Sequence, residues 1–543
     1  MTSVTELAAI DEVIPEVSTT DGSNLSAESQ SLSADHSNPA NLWGILLADS
    51  SEHSGLSGSI LTDDTKLSDF SESILTDDSN LSDLPESPTT NSSNFSDLRE
   101  SQFTKDTCHS DSHIHLETLP AELRVQILDL LDLEGLEALV RASPVYHDQY
   151  LLDRKRLLFA CLKITLGNMF IDACVVQETS SLSFRRARSM DTISSFVQSL
   201  RKKRAPPPDA TQIKAFTLHD TIDMVTFYRF VLKPFARHYS EWALSNLAKE
   251  PETSHAKINE PLSITEEHRI IRALYRFQLF CNLLGTGPHK HMDKIDIFEP
   301  WLKFESHEVL MMLESLYEPW ELEEINCVNV FAQIKGQEVL KSVTWDFHET
   351  NPKFADQNRP PTPQGAFDIK TNRGQPMIID YEDSYLIGLI TQGLDHLQKI
   401  FFEIQDHSRL VAIMEESLIL RTSMFICASG LGALDYLTQD DRRIVAPSER
   451  DKREERREPL PFRGDKVDES DGAYPPLAWT LLWKGTYSNM FGNYIPNEIP
   501  MWGYVMWDAA RLERTGAKEV LLRQFVSSFW DEDQDPRDQR EFL

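Results

Sequence analysis

The chain has 543 residues, 40% of them apolar and including 10 Trp and 27 Phe, so it holds the material for a sizeable core and, by length, about two to four ordinary domains. Its formal net charge of -33 repels phosphate backbones, and no stretch interleaves basic and aromatic residues as a nucleic-acid groove would, which argues against DNA or RNA as a partner. The six cysteines, Cys108, Cys161, Cys174, Cys281, Cys327 and Cys427, stand without CxxC spacing, and the N-terminus lacks the basic-then-apolar order of a secretory leader; an intracellular protein with reduced thiols, in the cytoplasm or the nucleus, is expected.

Residues 1–112 are dominated by Ser, Thr, Asp and Asn, and acidic residues there outnumber Lys plus Arg about seven to one. Such a segment cannot bury enough apolar surface to offset the entropy of ordering, so a disordered acidic arm is expected. A repeat of about 14 residues runs through it, as SILTDDTKLSD from Ser59 and SILTDDSNLSD from Ser73, with a decayed copy at Asn94 to Asp97. A duplicated solvated linker is its simplest reading.

From 113 the composition turns helical. Leu119, Leu123, Ile127, Leu130 and Leu131 mark one face, followed by Leu136, Leu139 and Val140. Thr118 is placed to cap the first helix, with Pro120 in its first turn and Glu122 at the positive end of the dipole. Asp132 to Gly135 separate a first helix from a second, and Ser143-Pro144 open a third running towards Leu166, giving a three-helix module over 113–167.

A mostly helical domain follows over 168–543. Helices are predicted near Leu182 to Leu200, Leu218 to Leu247, Thr265 to Leu284, His307 to Leu316, Ser384 to Glu403, Arg409 to Tyr436 and Tyr504 to Trp530, with loops near 249–262, 351–374 and 440–476. The longest apolar stretch, Leu418 to Leu437, is interrupted by Arg421, two glycines and Asp435, so it reads as a buried core helix and no membrane partner is expected. The fold class is mainly α.

The stretch LPAELRVQILDLLDLEGLEALVRASPVYHDQY, from Leu119 to Tyr150, resembles an F-box. The resemblance rests on Leu119, Pro120, Glu122 and Leu123, the Ile127-Leu128 pair, Leu136 and Leu139, and Ser143. The tryptophan often found in the third helix of that family is replaced here by VYHDQYLLDRKRLL. Ser143, Pro144, Tyr146, His147 and Tyr150, with PMWGYVMWDAARLE from Pro500 to Glu513, are similar to a large group of F-box-like proteins of filamentous fungi. In the family the Leu-Pro start and first helices insert into a groove of the small adaptor that links F-box proteins to a cullin scaffold. The resemblance therefore implies a substrate receptor of a ubiquitin ligase, with Leu119, Pro120, Leu123, Ile127 and Leu128 as the adaptor-contacting residues and an unknown client. Independently, three helices in about 45 residues cannot cover their own apolar faces and need either a partner or the rest of the chain.

Other chemistry is scarcely signalled. His109, His113 and His115, and His289 and His291 beside Asp293, lack the second half of a metal site, so no metal is expected. There is no GxSxG elbow, since CASGLG at Cys427 to Gly432 has the wrong spacing, and no GxGxxG or Walker loop, so neither catalysis nor a cofactor is expected. Glu323-Glu324 read as helix-end or loop charges. Arg185, Arg186 and Arg188 with Arg201 to Arg204 resemble a bipartite nuclear signal, against an amphipathic helix with basic residues at its C-terminal end. The aromatic cluster from Trp479 to Trp507 reads as core or lid of the C-terminal region, and Arg511 as a partner of Asp508. Three alternatives stand beside the receptor reading: a self-contained scaffold with no ligase link, an enzyme with an unrecognised site in the helical domain, and transcriptional regulation through the acidic arm and the two basic clusters, which requires entry to the nucleus.

Overall fold

The computed structural model describes residues 116–204, 216–251, 253–258, 260–285, 316–348, 351–354, 381–417, 465, 475–483, 495–496 and 498–527. The chain divides into two units, Met1–Lys105 and Asp106–Leu543, of which the first lies outside the described residues, as do the repeats from Ser59. The described residues contain helices and no strand, in keeping with a mainly α fold. The expected helix near His307 to Leu316 lies outside them but for Leu316, and the expected helix Arg409 to Tyr436 is described, as helix, only up to Ser417; the CASGLG segment and both histidine groups also lie outside them.

The N-terminal module consists of α1 (Ala121–Asp129), α2 (Leu133–Ala142), α3 (Pro144–Leu152) and α4 (Arg154–Leu166). Four helices stand where three were expected. Asp153 breaks the third at φ -137°, outside helical geometry. The cap of α1 is Pro120, not Thr118; Leu116–Thr118 form a 3-10 turn, and Arg124 Nη1 donates to the carbonyls of Leu119 (2.7 Å) and Glu117 (3.2 Å) to hold the entry. Gly135 lies inside α2, because Asp132 accepts its N–H at 2.7 Å and starts the helix two residues earlier. Ser143 caps α3 by accepting the Tyr146 N–H, and its hydroxyl donates to Glu117 at 2.5 Å. The Tyr146 hydroxyl donates to the Leu116 carbonyl, so the LP entry is stitched to the α2–α3 corner.

The boundary at 167 does not separate compact units, since both sides belong to Asp106–Leu543. α4 packs on α1 and α2 and also on α5 (Phe170–Ser180) and α8 (Leu218–Thr226), which follows α6 (Leu182–Arg186) and α7 (Met190–Arg204). The run Arg154–Ser180 is long and apolar enough by composition to cross a membrane, with mean hydropathy 1.6, but 61% of that window is buried within the fold, as a core helix would be.

The expected helix Leu218 to Leu247 is present with a π turn, Phe227–Leu232, between α8 and α9 (Lys233–Leu247). Pro234 cannot donate to the preceding turn, which fits a widened register just before it. At the centre is α10 (Ile264–Leu284), started by a capping box of Ser263 and Glu266 and packed against α5, α9 and α11 (Pro319–Phe347). The region read as a loop near 249–262 contains the short helix His255–Ile258. The remaining described elements are α12 (Tyr381–Ile390), α13 (Leu394–Gln398) followed by a second π turn (Lys399–Glu403), α14 (His407–Ser417), α15 (Leu477–Trp483), a turn of helix at Glu498–Met501, α16 (Ala509–Thr515) and α17 (Ala517–Ser527). α11 is the longest helix described, and no element was expected there.

Candidate functional site

The N-terminal module is fixed to the larger helical body by its second helix. Arg229 Nη2 meets Glu137 at 2.6 Å and Lys233 Nζ meets Glu134 at 2.5 Å, so α2 spends its acidic side on the π turn and α9. Lys233, by hydrogen bond and charge, holds the Glu134 carboxyl below its ordinary range. Beneath them Leu133, Leu136, Val140, Tyr146, Tyr150, Leu157 and Leu158 form the core of the module.

The first helix is covered on one side only. Of the five residues expected at a partner surface, Pro120 and Leu123 are exposed, Leu119 and Ile127 are half-buried, and Leu128 is fully buried. Leu128 belongs to the internal core, its carbonyl accepting the Cys161 thiol, so in this conformation it supports α1 without reaching a partner. Burial pushes that thiol up to about 12. Spacings of three and four place Pro120, Leu123, Ile127 and Leu130 along one side of α1, with Leu130 78% exposed. Leu116, Leu151, Leu152 and Ile164 add to the uncovered apolar surface, Leu152 at 80% exposure. Large apolar residues are otherwise exposed only at Ile264, Trp345, Leu522 and Val526 among the described residues, so six of ten fall between 116 and 166.

The C-terminal motif has a different use. Trp502, Tyr504 and Trp507 are buried, as is Trp479, which bears out a core role for the described part of the aromatic cluster. Trp502 Nε1 donates to Gln524, Trp507 Nε1 donates to the Trp502 carbonyl, and Gly503 adopts φ +68°, where a Cβ would stand 2.6 Å from the Tyr239 hydroxyl. Arg511 does not use Asp508 as its ionic partner. Asp508 caps α16 by accepting the Arg511 N–H, while the guanidinium holds Glu266 through Nε (2.8 Å) and Nη2 (2.9 Å) and donates to the carbonyls of Ile258, Glu260 and Pro261.

Arg511 is one part of a buried ionic ladder on α10. Arg269 pairs with Asp465 at 2.9 Å and donates to the Trp507 carbonyl, Arg272 takes Glu324 at 3.0 and 2.5 Å, and Arg276 reaches Asp172 at 3.3 Å and Glu321 at 3.0 Å. Glu323 and Glu324 are therefore core residues and not loop charges. Burial raises the Tyr239 and Tyr504 hydroxyls well above the usual phenol range. Each of these guanidiniums has a carboxylate within reach, so the ladder reads as the fastening of four segments to one helix.

The basic clusters are also divided by the fold. Arg188 is buried, with Nη1 on the carbonyls of Asn282 and Gly285 at the end of α10, whereas Lys203 meets Glu178 at the surface. Among the described residues no group of three or more His, Cys, Asp or Glu is arranged to hold a metal ion. Comparison of the chain with models of protein families, with curated proteins and with solved structures finds no match.

Proposed function

We propose that this chain is a protein-interaction protein whose N-terminal module docks on the small adaptor of a cullin-type ubiquitin ligase, presenting a client held by the helical body. The observation that carries this reading is the set of exposed apolar residues within 116–166, Pro120, Leu123 and Leu130 among them. A leucine withdrawn from water contributes about 1.5–3 kcal/mol, so six such residues left at the surface of one module form a strong candidate for a partner's groove. The anchoring of α2 by Arg229 and Lys233 gives that surface a fixed frame. Helix-in-groove recognition uses apolar anchors at the spacing seen along α1.

The self-contained scaffold reading requires Leu119, Pro120 and Ile127 to be covered by the chain itself. Pro120 is exposed, and the other two are half-buried. The test is capture of the purified adaptor by the wild-type chain and by a Leu119→Ala, Pro120→Ala double variant of equal unfolding midpoint. Adaptor retained by wild type and lost by the variant supports receptor function; retention by neither, or by both equally, overturns it.

A further inference from the structure

A cavity of about 340 Å³ opens between α5, α6, α8, the π turn Phe227–Leu232, α10 and the α12–α13 junction. None of its lining residues belongs to the apolar surface of the module. The junction is built around Gly393, at φ +106°, where a Cβ would lie 2.8 Å from the Gln278 amide nitrogen. Gln278 in turn accepts the Leu394 N–H at 2.7 Å and donates to Asn282 at 2.8 Å, which fixes the floor.

Three polar groups on this wall lack partners among the described residues. The Arg185 guanidinium, half-buried, makes no hydrogen bond or ion pair there, and desolvation lowers its pKa. Tyr275, 1% exposed, has an unpartnered hydroxyl, and His396 has a buried, unpartnered Nε2. Native folds rarely leave buried polar atoms such as the Tyr275 hydroxyl and His396 Nε2 without partners, and the half-buried Arg185 guanidinium stands on the same wall with no anion paired to it among the described residues. Of the two acids on the wall, Asp395 meets the Lys399 ammonium at 2.6 Å, and Asp223 lies 3.6 Å from the His219 ring one turn away. Arg185 is the one permanent cation among the lining residues, and it stands beside apolar walls from Val176, Met224, Phe227 and Val231.

We infer that this cavity binds a small monocarboxylate with an apolar body, its carboxylate on the Arg185 fork and its oxygens within the field of the Tyr275 hydroxyl and His396. Arg matches a carboxylate with two parallel donors, and the volume sits at the small end of the roughly 300–1,000 Å³ of ligand clefts. A dianion would bring two negative charges to a wall with Asp223 on it and Arg185 as its one permanent cation.

The test is ligand-observed NMR titration of the full chain with benzoate, phenylacetate and hexanoate, with their amides and with phenyl phosphate. The expected result is that at least one carboxylate saturates below about 10 mM, at least tenfold tighter than its amide. Arg185→Gln weakens that carboxylate at least tenfold, whereas Arg186→Gln, on an exposed neighbour, does not. Tyr275→Phe, which removes an unpartnered hydroxyl and should fold as wild type does, weakens it several-fold. No saturation by any carboxylate, equal binding of the amide, undiminished binding by Arg185→Gln, or tighter binding of phenyl phosphate than benzoate would each overturn the assignment.

Discussion

Removing the Arg511 side chain should destabilise the helical body far more than an average surface change. Arg511 is 2% and Glu266 0% exposed, and the guanidinium supplies two bonds to that carboxylate and others to three carbonyls of the 258–261 segment. Arg511→Met leaves the Glu266 charge in the interior with only the backbone N–H groups of Ser263 and Asp508 for compensation. Stranding one member of a buried pair costs about 3–5 kcal/mol. Glu266→Gln, which keeps an acceptor for the Ser263 cap but strands the guanidinium, should cost a similar amount. The double variant carries neither charge, so its loss should fall short of the sum by about 2 kcal/mol or more, at the upper end of couplings between contacting groups. Urea unfolding of the full chain, followed by tryptophan fluorescence, reads this directly, because the guanidinium lies 5.8 Å from the Trp507 ring. A double variant whose loss equals the sum of the single losses would refute the view that this pair fastens the C-terminal motif to α10.

Other outcomes follow from burial and backbone geometry. Leu128→Ala should cost about 2–5 kcal/mol by cavity formation, whereas Leu130→Ser and Leu152→Ser should stay within about 0.5 kcal/mol, all measured as urea midpoints. Gly503→Ala meets both a positive φ and the Tyr239 hydroxyl, and should lose about 1–3 kcal/mol in the same assay. Desolvation, helped by Lys399 and opposed by Asp395, lowers His396 to about 4 in the folded chain from 6.5. The unfolded state thus binds the extra proton first, and stability contributed by the neutral imidazole is lost as pH falls from about 6.5 towards 4; a His396→Gln variant, compared with wild type across that range by thermal unfolding, should lack this component.

What could be read from the residues was local. The α3 start at Ser143-Pro144 and the long helical stretch from Leu218 are set by caps and a 3.6-residue period within one segment, and they appear as expected. Partners distant in sequence were not legible. Spacing offered Asp508 to Arg511, but its carboxylate is Glu266, 245 residues away. α11 escaped notice because it is buried on several sides, with Glu323, Glu324 and Asn329 as well as Leu322, Val328 and Phe331 in the core, which erases the polar stripe that marks a surface helix. Its Gly336 is a point of close approach, where a Cβ would lie 2.7 Å from Leu386. The cavity was hidden for the same reason. Arg185 looked like one member of a basic run, and Tyr275, Gln278, Gly393 and His396 converge only once α10 and the α12–α13 junction meet.

For the proposed docking function the most direct measurement is hydrogen exchange of the full chain with and without the purified cullin adaptor. The account predicts slowed exchange concentrated in 116–130 and reaching Leu151 and Leu152, with the α2 face bound to Arg229 and Lys233 unchanged. Unchanged exchange throughout, or protection confined to residues beyond 168, would contradict it.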